Sequence, residues 1–224
     1  MRILHRDDRC VAVDKPSGIA THRGWSDDDD ALLQQVRDAV GAYVYPVHRL
    51  DRGASGVVLF ALDRDAARAF ADAWPRADKR YLAITRGHPP PHLVIDHPVP
   101  LARDFQGSPN ASNERVPAVT EVWCKETFGR YALVEARPHT GRLHQIRRHL
   151  KHISCPLIGD VRYGKGEHNR LFRERFALHR LALHCTSLRV PHPAAGELAV
   201  TSPLPADLAT AITAAREAFR PAMP

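Results

Sequence analysis

The residues best suited to chemistry in this 224-residue chain lie in the string His48-Arg49-Leu50-Asp51-Arg52-Gly53-Ala54-Ser55-Gly56. It places one carboxylate between two arginines. Nearby guanidinium groups keep a carboxylate ionised even where water is partly excluded. An ionised, oriented carboxylate can attack a sugar carbon or stabilise positive character there. An isolated Asp-Arg turn is more often a surface ion pair of little consequence, so the residue types alone leave both readings open. Tyr81, in Lys79-Arg80-Tyr81-Leu82-Ala83, reads on composition as a packing aromatic. Arg142, His144, Arg147, Arg148 and Lys151 line the polar faces of a segment whose apolar positions are Leu143, Ile146, Leu150 and Ile153. Helical spacing of that kind also describes a generic basic helix able to bind RNA without catalysis.

Each of these groups needs an element to hold it. Val57-Val58-Leu59-Phe60-Ala61 is an apolar, β-branched run of strand length, normally buried, and it gives Asp51 a rigid footing at its edge. Two short strands are expected at Ile3-Leu4 and Cys10–Asp14, with Lys15-Pro16-Ser17-Gly18 breaking the second as a turn. The acidic run Asp27–Asp30 precedes a helical pattern at Leu32, Leu33, Val36 and Val40, where carboxylates suit the helix N-terminus. A helix from Asp63 to about Trp74 repeats Ala66, Ala69, Phe70 and Ala73 at helical spacing, and Pro75 helps end it. Lys79–Ile84 reads as a strand carrying Tyr81. His88–Pro117, with seven prolines, reads as irregular connection with one edge strand near Val94-Ile95. An antiparallel pair is expected at Ala118–Phe128 and Tyr131–Ala136. Thr140 is expected to cap the basic helix, and Pro205–Phe219 to form a closing helix.

The string around Asp51 resembles the catalytic motif of the RluA-type pseudouridine synthases, usually H-R-L-D-x-x-T-S-G followed by apolar residues, with Ala54 standing where that family has threonine. Asp14-Lys15-Pro16-Ser17-Gly18 resembles the family's opening motif, and Lys79-x-Tyr81-x-Ala83 its second. Thr140-Gly141-Arg142-x-His144-Gln145-Ile146-Arg147 resembles its third. Cys155-Pro156-x-x-Gly159-Asp160-x-x-Tyr163-Gly164 resembles H-P-x-x-G-D-x-x-Y-G with cysteine for histidine, and Leu181-x-Leu183-His184-Cys185 resembles L-x-L-H-A with cysteine for alanine. The likeness covers about residues 2 to 202. His22-Arg23-x-Trp25, the doubled Arg147-Arg148 and the insert Asn169–Phe176 resemble the tRNA pseudouridine-65 branch of the family.

The resemblance implies an α+β pseudouridine synthase fold: a long, bent, mostly antiparallel sheet flanked by helices and loops, with the catalytic cleft between two halves of a single domain spanning 1–224. No N-terminal RNA-binding module is expected. Asp51 is implied as the catalytic carboxylate, Tyr81 as the ring that stacks on the target uracil, and Arg147 as the cation that pairs with Asp51. Arg49 matches a family arginine that fills the vacated base stack. His48, Arg52, Arg142, His144, Arg148 and Lys151 are candidate contacts to RNA.

Bulk properties agree with an RNA partner. The formal charge is +7. Arg137 to Arg180 holds eleven Lys and Arg against Asp160, Glu167 and Glu174, so this stretch carries +8 and the rest of the chain about −1. One basic surface on a balanced protein points to a polyanion. The four cysteines Cys10, Cys124, Cys155 and Cys185 are far apart, and the fourteen histidines are scattered, so neither a disulfide framework nor a metal site is expected. Uridine isomerisation changes no redox state and loses no group, so no cofactor is expected. Met1–Asp8 has no apolar leader and no stretch reaches membrane-spanning length; a cytoplasmic monomer acting on tRNA is expected. An rRNA substrate is the alternative within the family, and a non-catalytic RNA-binding protein the alternative outside it. A glycoside hydrolase would need a second carboxylate as general acid, and none neighbours the basic motifs.

Overall fold

The computed structural model describes residues 1–22, 31–101, 114–194 and 196–219. The chain begins with β1 (Arg2–Arg6), β2 (Cys10–Lys15), α1 (Leu32–Val40), β3 (Tyr45–Pro46), β4 (Ser55–Ala61) and α2 (Arg64–Ala73). It continues through β5 (Asp78–Arg86), β6 (His92–Asp96), β7 (Val99–Pro100), β8 (Arg115–Val116), β9 (Val119–Phe128) and β10 (Tyr131–Pro138). The last elements are α3 (Gln145–His152), α4 (Gly166–Phe176), β11 (Leu183–Pro191), β12 (Glu197–Thr201) and α5 (Ala206–Ala218). No described helix is long and apolar enough to cross a membrane. Two compact units divide the chain: Met1–Tyr81 with Leu183–Pro205, and Leu82–Ala182 with Ala206–Pro224.

In the first unit β4 is the central strand, and all seven of its residues are buried. It pairs antiparallel with β2, setting Val11 opposite Phe60 and Val13 opposite Val58, and parallel with β11 through His184–Ser55 and Cys185–Gly56. A strand flanked on both sides and covered on both faces must be apolar throughout, which explains Val57–Ala61. Gly56 is required here: its φ is +112°, and a Cβ would lie 2.1 Å from the Cys185 carbonyl oxygen. Helix α2 starts at Asp63, whose carboxylate accepts the Ala66 amide at 2.7 Å. The helix buries Ala66, Phe70 and Ala73 and ends in a 3₁₀ turn, Trp74–Arg76, containing Pro75. For a side chain such as Phe70, burial stabilises by about 1.5–3 kcal/mol.

The second unit is built on β10 and β9, paired antiparallel with a register shift between Leu133 and Val134. Strand β6 adds to the β9 edge. Beneath them α4 and α5 bring Phe172 and Phe219 against Tyr131, at ring-centroid distances of 4.8 and 5.2 Å. These strands and helices make an α+β fold: β1 with β2, β2 with β4, β3 with β4, β6 with β9, β7 with β8, β9 with β10 and β11 with β12 pair antiparallel, and β4 with β11 pairs parallel.

Two sequence expectations differ from the structure. The basic helix begins at Gln145 rather than near Thr140, and His144 precedes it in the left-handed region with φ of 54°. Thr140 instead donates to Gln145 Oε1 at 2.6 Å and accepts the Val119 amide at 3.1 Å. Tertiary partners for that hydroxyl outcompete a local cap. The proline-rich connection holds β6 as expected, and also the two-residue ladder β7–β8, too short to leave a periodic signature. Arg23 and Trp25, the acidic run Asp27–Asp30 and the 102–113 part of the proline-rich connection lie outside the described residues.

Candidate active site

Asp51 stands in the loop between β3 and β4, half-buried, and the loop is fixed from below by the Lys15-Pro16-Ser17-Gly18 turn. The Lys15 side chain has no exposure, and its ammonium donates to the carbonyls of Pro16, Ile19 and Arg52 at 2.9, 2.7 and 3.2 Å. Ser17 donates to the Gly53 carbonyl at 2.7 Å, and the Gly18 amide to the Arg52 carbonyl at 2.8 Å. Thr21 both donates to the Leu50 carbonyl and accepts the Leu50 amide, each at 3.1 Å. The Leu50 amide and the carbonyls of Leu50, Arg52 and Gly53, on both sides of Asp51, are therefore held by the segment from Lys15 to Thr21. Replacing Lys15 with Met leaves three carbonyls short of a donor and is expected to lower stability by about 2–3 kcal/mol; urea denaturation measures it.

Tyr81 lies on β5, only 7% exposed. Burial, the Cys185 thiol beside its hydroxyl and the charge of Asp51 push its phenol well above the ordinary range. The hydroxyl thus stays protonated and donates toward the Cys185 sulfur. That thiol is fully buried, and burial pushes it up to about 12. Cys185 occupies the position where the family motif has alanine, so the tyrosine here has a sulfur neighbour. One residue earlier, His184 hydrogen bonds Ser55 at 2.7 Å through Nδ1 and the Ser202 carbonyl at 3.3 Å through Nε2. Ser202 in turn donates to Asp14 at 2.8 Å. A carbonyl can only accept, so His184 carries its proton on Nε2 and Ser55 donates to Nδ1. This buried chain ties the start of β4, directly after the Asp51 loop, to β11 and β2.

His48, a candidate RNA contact, is committed within the first unit. Its ring stacks on Trp74 at 4.9 Å and its Nε2 accepts the Leu59 amide at 3.2 Å. Burial and the neighbouring Lys79 hold the imidazole neutral, down at about 3. An imidazole that stays neutral when folded but binds a proton when unfolded costs stability as pH falls. Stability is therefore expected to decline from the ordinary histidine value of 6.5 toward pH 3, and His48→Gln to flatten that slope in a denaturation series. Arg49 and Arg52 are exposed, Arg52 with its Nε on the Gly18 carbonyl at 2.8 Å.

The remaining candidates belong to the second unit. Arg147 is 8% exposed and grips Asp160 with two parallel bonds, Nε to Oδ2 at 2.8 Å and Nη2 to Oδ1 at 2.9 Å. Asp160 Oδ1 also accepts the Arg162 and Tyr163 amides at 2.9 and 3.0 Å. These donors outweigh burial and hold the carboxyl below its ordinary value. Arg148 is 9% exposed, donating to the Pro100 carbonyl at 2.8 Å and the Tyr163 hydroxyl at 3.1 Å. Arg142 is exposed with its Nε on the Pro117 carbonyl, and His144 lies 3.3 Å from the Tyr163 hydroxyl. Arg115, Arg148, Lys151 and Arg162 line a groove of about 460 Å³ in which, among the described residues, no carboxylate takes part.

The structure thus gathers His48, Arg49, Asp51, Arg52 and Tyr81 in one unit and Arg142, His144, Arg147, Arg148 and Lys151 in the other. Lys15, Ser55, His184 and Asp160 act as supports that the sequence does not single out, although each lies in a family-like motif. Each has a partner 13 to 129 residues away, beyond the reach of local pattern.

Comparison with known proteins follows the same line. Residues 9–152 match the RNA pseudouridylate synthase family. The tRNA pseudouridine synthase C of Salmonella typhimurium is 40% identical over 214 residues, covering 88% of this chain and 82% of the relative. That of Vibrio cholerae is 38% identical over 210 residues, covering 86% of each. Among solved structures, human RNA pseudouridylate synthase domain containing 4 superposes with a TM-score of 0.78 at 27% identity, over 96% of this chain and 93% of that one.

Proposed function

Because the chain belongs to the RNA pseudouridylate synthase family, we propose that it isomerises one specific uridine of tRNA to pseudouridine, with Asp51 as its catalytic carboxylate. The observation that carries the assignment of Asp51 is its loop: backbone anchored before and after it, carboxylate within electrostatic reach of the Tyr81 hydroxyl. The relatives named as tRNA pseudouridine synthases support the substrate, and the branch-like insert favours position 65.

The reaction breaks the N1–C1′ bond, turns the base and joins C5 to C1′; the C5 hydrogen leaves as a proton. Asp51 meets the positive character that develops at C1′, either by adding to it or by facing it. The target uridine must first leave its stack, costing a few kcal/mol. Tyr81 offsets part of this by stacking on the uracil, worth roughly 1–3 kcal/mol, and Arg49 fills the gap left behind. A phenol held in its neutral form is a ring and a donor rather than a base. Arg147, fixed by Asp160, is the catalytic cation that the family motif implies. No step calls for a cofactor, and the protein works as a cytoplasmic monomer.

The groove lined by Arg115, Lys151 and Arg162 holds RNA phosphates in this scheme. Lys151→Ala is then expected to raise KM with kcat little changed, and to reduce the slope of log affinity against log salt by about 1.

The test is release of tritium to water from tRNA labelled at uridine C5, followed by mapping of the modified position. Release from tRNA establishes the activity and its substrate. Release only from rRNA fragments moves the substrate to rRNA. Tight binding with no release from either assigns the chain to RNA binding without catalysis.

A further inference from the structure

We propose that His5, Asp7, Cys10 and His192 form a structural site for one zinc-class divalent cation. All four lie in the first unit, at the turn between β1 and β2 and just beyond the end of β11. The turn is built by one oxygen of Asp7: Oδ1 accepts the Arg9 and Cys10 amides at 2.7 and 2.8 Å. The carboxylate is thereby fixed with Oδ2 facing the other three side chains. Oδ2 lies 2.7 Å from His5 Nε2, 3.3 Å from His192 Nε2 and 3.6 Å from Cys10 Sγ, and that sulfur lies 3.9 Å from His192 Nε2.

These distances can be set against a tetrahedral ion. Zinc bonds of about 2.0–2.1 Å to N or O and 2.3 Å to S place N and O ligands about 3.4 Å apart, and S about 3.6 Å from either. Three of the four measured edges fall within a few tenths of an ångström of that figure. The fourth, His5 to Asp7, is a hydrogen bond that opens by about 0.7 Å once a cation replaces its proton. One thiolate, two imidazoles and one carboxylate are a borderline-soft donor set, which suits zinc and excludes calcium and magnesium.

The surroundings fit a closed site with an entry on one side. Cys10 has no exposure, and the His192 side chain is 9% exposed, with the Phe70 ring packed edge-on at 5.8 Å. The His5 and Asp7 side chains remain 35% and 32% exposed. On binding, the Cys10 S–H proton goes to solvent, the sulfur–metal bond forms, and nothing is oxidised or reduced. His192 moves its ring proton to Nδ1, giving up the weak Ala194 amide contact there at 3.2 Å.

With four protein ligands the site leaves no open position, so its role is structural. It joins the β1–β2 hairpin to residue 192, which is 182 positions from Cys10. That separation is why the scattered cysteines and histidines gave no metal signature in the sequence.

The test is titration of the full chain, stripped with a chelator and kept reduced, with Co²⁺ alone. Saturation at one Co²⁺ per chain, a thiolate-to-cobalt charge-transfer band, intense tetrahedral visible bands and displacement by one equivalent of Zn²⁺ are expected. Cys10→Ala should abolish the charge-transfer band. If that variant fails to fold, the more exposed His5→Gln decides: its affinity should fall at least about 100-fold with an unchanged circular dichroism spectrum. Wild type without a charge-transfer band, or His5→Gln binding as tightly as wild type, overturns the site.

Discussion

Asp51→Asn abolishes release of tritium from C5-labelled tRNA while unfolding at the wild-type temperature. The substitution keeps shape and hydrogen-bonding capacity and removes only the charge, and the charge is what C1′ chemistry needs. The loop is held through backbone groups, by Lys15, Ser17, Gly18 and Thr21, and Asp51's own carbonyl accepts the Ala54 amide at 3.0 Å. An amide in place of a nucleophile or charge stabiliser is expected to lower the single-turnover rate by roughly 10⁴-fold or more. Binding of tRNA, which rests on cations, should persist within a few-fold. Release within tenfold of wild type would remove Asp51 from the chemistry. The assay separates loss of catalysis from loss of substrate because both are read on the same labelled RNA.

How much of this could be read from the sequence depends on distance along the chain. The β4 run, α2 with its Asp63 start and the β9–β10 pair carry period or capping signals within a dozen residues, and the structure has them. The motif around Asp51 and the one around Tyr81 resemble a family in which they share a site, and they do share a unit. What local pattern could not convey is who holds whom. Lys15 sits in a common turn sequence, yet its ammonium binds the carbonyl of the residue after Asp51, 37 positions away. His184 bridges Ser55 and Ser202 only because β11 runs parallel beside β4. Thr140 has the right type and place for a helix cap, but Gln145 turns back to satisfy Thr140, the Arg142 amide and the Val119 carbonyl together.

Asp160→Ala is expected to be the most destabilising single substitution at the candidate site. Asp160 has no side-chain exposure and Arg147 only 10%, so removing the carboxylate leaves a guanidinium in the interior without its bidentate partner. Breaking a buried pair in this way costs about 3–5 kcal/mol, and the Arg162 and Tyr163 amides lose their acceptor as well. Asp160→Asn keeps an acceptor for those amides and should cost less. The pH dependence gives a second signature. Arg147 holds the folded carboxyl below its ordinary 3.8, so the folded state binds its proton later than the unfolded state as pH falls. Its contribution is full above that ordinary value and is lost as pH drops through the lowered one; Asp160→Asn should remove this part of the acid slope. Urea denaturation across pH measures both effects. A change of less than about 1 kcal/mol for Asp160→Ala would mean that Arg147 finds equal support elsewhere. If Arg147 serves catalysis as proposed, folded Asp160→Asn should also lose kcat with little change in KM. A variant that loses stability yet keeps wild-type kcat would confine Asp160 and Arg147 to the fold.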